Sequence, residues 1–505
     1  MPTPVARVAA KPGCGGKEAI LVVRAPDRRD GVPSNLILVL MMSVTILNVM
    51  DRQLLAVLIE PIGLELGASD TAMGLLTGTS FALLHVVASF PVAIWADRGD
   101  RRTIIALGLA LWSGLTVATG FARSYVEMFL IRIGVGIGET TGGPPAQAFL
   151  ADAFPPDRRS TAIAVLVMGG PLGSMLAFAL GGWLGETVGW RGAFVVFGLP
   201  GLLLAVVLRL VLREPRRGAY DAADREVDAA PVAVAAEREA DAAPVAMAAE
   251  READAAPVAM AAGRRIAGTE MDASAGEPPP LPPAKALRML LRTPALAPLM
   301  VGAWANTVGI YAVLVWAVPY LGRVHGLSTG AAGARLAIAS GLASALGTWA
   351  GGVLADRLGR RDRVWLARLP ALACAAVLPL GLAFAFASDG DLASVLLAPA
   401  SFLSAAYFGP VFGAVQTFSP PRARALAATC ITAGNTILGL GLAPPLVGWL
   451  NERLAPAFGD EAIRYSLALM MTSHAVAALL FLRAQATLRA GRGAISRSES
   501  GAEGA

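Results

Sequence analysis

"ADRGDRR", Ala96–Arg102, returns as "ADRLGRR", Ala355–Arg361. Each copy closes a long apolar run and leads into another. A second echo falls at a similar offset, "RSTAIA" at Arg159–Ala164 against "RALAAT" at Arg424–Thr429. Two echoes in the same order mark an internal duplication, so the fold is decided by what one copy of the repeated unit contains.

The units are apolar. The chain of 505 residues is 55% hydrophobic and 16% charged, with a mean hydropathy of +0.60, outside the balance of soluble domains. Crossing a hydrocarbon core about 30 Å thick takes about 20 apolar helical residues. Twelve such runs occur, near 36–59, 70–95, 103–122, 125–149, 160–187, 190–212, 295–321, 329–354, 363–387, 392–417, 425–450 and 463–485. The alternation of a membrane barrel is absent, so helices do the crossing. The expected fold is an all-α polytopic membrane protein with twelve transmembrane helices in two six-helix halves, 35–212 and 287–488, between a basic tail, 1–34, and a short tail, 489–505.

Between the halves, at 213–286, hydrophobic periodicity stops. "DREVDAAPVAVAA" and two copies of "EREADAAPVAMAA" run in tandem from Asp224 to Ala262, then "GEPPPLPPAK". Pro-interrupted, charge-mixed repeats bury no core, so this segment is expected to be a disordered linker, its repeat an expansion tolerated in a loop. A duplicated six-helix unit is the mark of a transporter that rocks one half against the other around a central site.

Arginine placement gives the orientation, because basic residues stay on the cytoplasmic side. Arg98, Arg101, Arg102, Arg158, Arg159, Arg357, Arg360, Arg361, Arg363, Arg422 and Arg424 all follow spans two, four, eight and ten, whereas the connection from Glu60 to Asp70 has no Lys or Arg. Both termini are therefore expected in the cytoplasm. The basic balance belongs to this asymmetry, and no nucleic-acid partner is expected. Cys14, Cys374 and Cys430 fit neither a metal site nor a disulfide framework, and no cofactor is expected. The apolar run Ala19–Val23 is too short for a signal peptide. Lysine is scarce beside arginine, which points to a GC-rich bacterial genome and an inner-membrane location. The chain is expected to act as a monomer, with a small-molecule or lysolipid substrate, protons and membrane lipids as its partners. An enzyme is not expected, since no His and carboxylates stand at metal spacing and no Ser has a nearby base. A channel would need a ring of like residues; a scramblase on the same fold is a further alternative.

Charge inside the spans singles out three residues. Asp51 lies about 22 Å along span one from its cytoplasmic end, Arg132 about 10 Å down span four from the other side, and Glu139 about 10 Å deeper. Asp51 and Arg132 should share a depth. Arg132 and Glu139 are almost two turns apart and project from one face of span four. Each ionised group at mid-bilayer costs about 2.5–3.5 kcal/mol, so the three are expected to pair around a polar cavity and to carry protons; the alternative is a static salt bridge. Arg52 points about 100° from Asp51 and is left for backbone carbonyls or a gate carboxylate. Other possible cavity-lining residues are His85, Gln147, Asn306, Tyr311, Gln416 and Asn435, although a lone His in a span is ordinarily an interhelical hydrogen-bonder.

"GGVLADRLGRR", Gly351–Arg361, resembles the loop motif of the major facilitator superfamily in full, and "AIWADRGDRR", Ala93–Arg102, resembles its first-half copy, with Ala93 and Asp100 where that motif prefers Gly. In these loops Asp97 and Asp356 end a span where a carboxylate meets a helix N-terminus, and arginines hold neighbouring helix ends and headgroups. Asp97, Arg98, Arg101, Asp356, Arg357, Gly359 and Arg360 are therefore expected to gate. "NVMDR" in span one, "RIGVGIGE" in span four, "MGGPLGS" at Met168–Ser174 and "REP" at Arg213–Pro215 resemble the spinster-type branch. That resemblance implies proton coupling through Asp51, Arg132 and Glu139, and a lysolipid or sphingosine phosphate substrate in vertebrate members; other proton-driven carriers of the superfamily export drugs or move organic acids. The span-five "GP" break resembles a motif of exporters.

Overall fold

The structure is a computed structural model, and it describes residues 32–215, 288, 290, 292–419 and 424–502. The basic tail before residue 32 and the linker repeats lie outside the described residues. Among those residues ten segments are helical, long and apolar enough to cross a membrane. One of the ten, Leu426–Ala490, folds back at Gly459, whose φ of 54° suits only glycine, and so holds two spans. Span four escapes the length criterion because Tyr125–Glu139 yields to a 3-10 turn, Thr140–Gly142, before Pro144–Ala153 resumes. The cause is local: Gly143 takes φ −97° and ψ −97°, and Pro144 can only begin a helix, not continue one. Twelve spans result.

Span one is Ser34–Val57, three Arg101–Thr119, five Pro156–Thr187, six Gly189–Val211, seven Leu296–His325 and nine Trp365–Ala385. Spans two, eight and eleven each carry a π-helical turn, at Leu75–Thr79, Ala337–Leu342 and Asn435–Leu442, while span five carries Pro171 mid-helix. These four spans face one another across the halves, and such turns let a helix bend without losing its ladder. Span ten is Gly390–Ala405 continued by Phe408–Phe418, and the last helix runs from Ala462 to Ala502.

The duplication extends to capping. Ser69 and Ser328 open spans two and eight, accepting from the amides of Ala72 at 3.3 Å and Ala331 at 3.2 Å. Ser124 and Asp389 do the same for spans four and ten. Arg191 at the start of span six donates to the Ala122 carbonyl at 2.5 Å, and Arg464 at the start of span twelve donates to that of Ala387 at 2.8 Å. Each arginine staples its span to the connection before span four or ten.

Asp100, one of the two departures from the loop motif, caps span three: its carboxylate accepts from the Thr103 amide at 3.1 Å. Burial pushes its pKa up, but the Thr103 amide and hydroxyl and Arg102 outweigh that and hold the carboxyl below its usual range. Asp100→Ala is expected to cost about 1 kcal/mol. Because the folded pKa is the lower one, this contribution is complete above the unfolded value and is lost as pH falls through the folded one. Melting of the purified protein should therefore separate variant from wild type at pH 7 and bring them together in acid.

The apolar core shows how the halves meet. At the end away from the linker, here the far end, one cluster takes in both halves, with Leu54, Ile62, Phe178 and Phe194 packed with Trp316, Leu336, Ala443 and Val447. Toward the linker end the cores are separate, one around Met41, Trp112 and Phe149, the other around Leu299, Tyr407 and Phe481. Among the described residues the two cores are joined at the far end and parted at the linker end.

Candidate functional site

Span one delivers two adjacent charges to two different partners. Asp51 is 4% exposed, Arg132 0% and Glu139 1%. Arg132 Nη1 faces Asp51 Oδ1 at 3.6 Å, longer than a hydrogen bond, and among the described residues neither Asp51 oxygen nor any Arg132 guanidinium nitrogen has a hydrogen-bond partner. Coulomb attraction alone joins them. A buried pair without supporting hydrogen bonds gains little over an apolar replacement.

Arg52 corrects the sequence expectation. Its Nη2 donates to Glu139 Oε2 at 2.6 Å and to Asn48 Oδ1 at 3.2 Å, and the guanidinium lies 4.3 Å from the Phe81 ring centroid. Helical side chains lean toward the N-terminus of their own helix. For span one that is the linker end, where Glu139 lies relative to Arg132, so Arg52 reaches back past Asn48 to the deeper acid. The structure therefore joins the three expected residues as two ion pairs, Asp51–Arg132 and Arg52–Glu139, with Arg52 as the fourth member.

The second half answers with neutral polar groups. A cavity of about 310 Å³ lies at the seam, bounded by Pro171 and Ser174 of span five and by Thr307, Tyr311, Tyr407, Asn435 and His474. Thr307 Oγ1 donates to Asn435 Oδ1 at 3.0 Å and meets the Tyr407 hydroxyl at 3.3 Å. Asn306 sits one shell behind, donating to the Ser404 carbonyl at 3.3 Å and accepting from Cys374 Sγ at 3.2 Å. His474 Nδ1 lies 3.2 Å from the Met471 carbonyl, which can only accept, so that nitrogen carries the proton and Nε2 is left to accept from Ser404. Tyr311 also packs on the Phe81 and Leu440 cluster that links the cavity to Arg52.

Of the other expected residues, Tyr311 and Asn435 line the cavity. His85 does not: its Nδ1 meets the Gly136 carbonyl at 3.2 Å and its ring stacks on Phe81, the ordinary work of a bridging histidine. Gln147 is exposed. The side chains of Gln416 and Asp97 lie outside the described residues. In the loop motifs Arg101 pairs with Asp152 and donates to the Ala148 carbonyl at 3.0 Å, while Arg98, Asp356, Arg357 and Arg360 are exposed and Gly359 is half-buried.

Sequence reasoning missed the far-end closure. Arg323, at the end of span seven, reaches across the halves to Glu60 at 2.8 Å and Asp70 at 2.6 Å, and Asn451 adds a hydrogen bond to Asp70 at 2.9 Å. A signal existed. The connection with no basic residue carries three acids, Glu60, Glu65 and Asp70, and an arginine at the neighbouring end of span seven calls for acidic partners.

Two six-helix halves, shut at one end and parted at the other, with buried ion pairs in one half and a neutral polar cavity at the seam, define a membrane transporter rather than an enzyme. The chain belongs to the major facilitator superfamily, whose family model matches residues 41–444. It is 29% identical over 444 residues to an MFS-type efflux pump of Mycolicibacterium smegmatis, covering 88% of this chain and 90% of that one. It is 30% identical over 209 residues to protein spinster homolog 1 of Xenopus tropicalis, covering 41% of this chain and 39% of that one. A bacterial homolog of the human lysosomal transporter spinster, crystallised inward-facing and unoccupied, superposes with a TM-score of 0.71 at 26% identity, over 90% of this chain and 97% of the other. Within the superfamily the likeness is to spinster-type transporters, as the first-half motifs led one to expect.

Proposed function

We propose that the chain is a proton-coupled carrier that moves a small amphipathic, lipid-like solute across the bacterial inner membrane by alternating access, as a monomer with both termini and the linker in the cytoplasm. In this orientation the parted linker end faces the cytoplasm and the far end the periplasm. The observation that carries the reading is the pair of buried ion pairs, Asp51–Arg132 and Arg52–Glu139, between spans one and four. A proton on either acid removes its attraction to the partner arginine, which changes the relative free energy of the two packings. Only such a differential effect converts a proton gradient into movement of the halves. The cavity suits an amphipathic solute, since its hydroxyls and amides stand among Ile310, Val313, Leu314 and Leu397.

A drug or organic-acid exporter is the second reading, favoured by the likeness to the M. smegmatis efflux pump over most of both chains. Lysophospholipid and drug panels in proteoliposomes under an imposed pH gradient separate the two. Gradient-dependent flux of a lysophospholipid supports the first reading, and gradient-dependent flux of drugs alone supports the second. Flux that ignores the gradient and runs equally in both directions overturns proton coupling and points to a scramblase or channel.

A further inference from the structure

We propose that Glu186 and Glu452 form a reciprocal pair of latches: each is a carboxylate at the end of a span in one half that caps the amino end of a span in the other half, and together they set how long the far end stays shut. The proposal rests on the carrier reading above, since a latch has meaning only where the halves part.

Glu186, at the end of span five, accepts from the Gly330 amide at 2.6 Å, and Glu452, near the end of span eleven, accepts from the Thr71 amide at 2.7 Å. Spans five and eleven are equivalent in the duplication, and so are spans eight and two. The register matches as well. Gly330 is the second residue of span eight, Thr329–Arg361, and Thr71 the second of span two, Asp70–Ala96. Each carboxylate ends a matching pentapeptide, "GWLGE" at Gly182–Glu186 and "GWLNE" at Gly448–Glu452, which differ only at the fourth residue. The leading glycine makes the approach possible. A Cβ on Gly182 would stand 2.7 Å from the Thr329 carbonyl oxygen, and one on Gly448 would stand 2.2 Å from that of Asp70.

The four amides at a helix start have no partner within the helix. In spans two and eight the third is taken by the capping serine, Ser69 or Ser328. The second is taken by a glutamate from the opposite half, so this satisfaction lasts only while the far end is shut. Both glutamates are exposed, and water replaces them readily when the halves part. Each contact therefore biases the equilibrium without locking it, through the attraction between a carboxylate and the positive end of a helix dipole. The Arg323 clamp differs, being a contact between side chains, with Arg323 of span seven on Glu60 and Asp70 and Asn451 of span eleven on Asp70.

The test reads the far end directly. Nitroxide labels at Phe121→Cys and Phe458→Cys, in a cysteine-free chain in nanodiscs, report the distance between the far ends of the halves by double electron–electron resonance. E186A and E452A are each expected to raise the ratio of open to shut far ends by roughly two- to fivefold. The double variant should show about the product of the two, because the latches touch no common residue. E186Q and E452Q, which keep an acceptor but lose the charge, should fall in between. A double alanine variant with the wild-type distance distribution overturns the latches. A wild type with one far-end distance and no gradient-driven flux overturns the carrier reading instead, so the two failures are distinguishable.

Discussion

Asp51→Asn is expected to abolish gradient-driven accumulation in proteoliposomes while the protein still inserts and binds its substrate. The amide keeps the shape of the carboxylate but is permanently neutral, like the protonated acid. Arg132, fully buried and held to Asp51 by Coulomb attraction alone, then loses its counter-charge. Breaking a buried pair costs about 3–5 kcal/mol. Borne by one access state alone, that shifts the balance of the two states by more than about a hundredfold, enough to hold the carrier in one of them. Glu139→Gln should weaken coupling less, because Arg52 keeps Asn48 and the Phe81 ring and its side chain is 19% exposed. Asp100→Asn, in the loop before span three, should alter coupling far less than either. Full gradient dependence in Asp51→Asn would return the Asp51–Arg132 pair to a structural role.

Gly74→Val is expected to keep the far end from shutting. A Cβ at Gly74 would stand 2.5 Å from the Pro444 carbonyl oxygen and 2.5 Å from the Pro445 α-carbon, so backbone meets backbone where span two crosses span eleven. No side-chain rotation relieves that contact. Overpacking costs about 1–3 kcal/mol, which here falls only on the shut far end and disfavours it roughly 5- to 150-fold. Transport should fall accordingly, while a thiol placed at Val447, buried in the far-end cluster when that end is shut, becomes reactive to a membrane-impermeant reagent. Gly413→Val is the control, since nothing lies within 4 Å of its added Cβ. Equal thiol reactivity in Gly74→Val and wild type would show that the seam yields at another point.

Hydropathy and Arg placement are properties of the chain in one dimension, and they determined the twelve spans, the two halves and the expected orientation without reference to packing. Depth is also one-dimensional, because a helix rises about 1.5 Å per residue whatever surrounds it. This is why Asp51 and Arg132 were matched from their positions alone, and why Arg132 and Glu139 were placed on one face of span four. The "ADR" loops and the "NVMDR" and "RIGVGIGE" segments carried the family for the same reason: local motifs survive without tertiary information.

Partner choice across helices is three-dimensional, and there the tertiary structure decided. Helix geometry alone turns Arg52 away from Asp51, toward backbone carbonyls or a gate carboxylate, but its long side chain follows the lean of span one back to Glu139. The Arg323 clamp on Glu60 and Asp70 joins residues more than 250 positions apart, and the latches of Glu186 and Glu452 exist only because glycine allows two halves to meet at one end. The neutral cavity around Thr307, Asn435 and His474 is likewise a product of how spans seven, eleven and twelve pack. An interface between two rigid halves depends on their relative placement, a handful of rigid-body coordinates that no window of sequence contains, whereas the helices themselves are forced by the need to satisfy every backbone group within hydrocarbon.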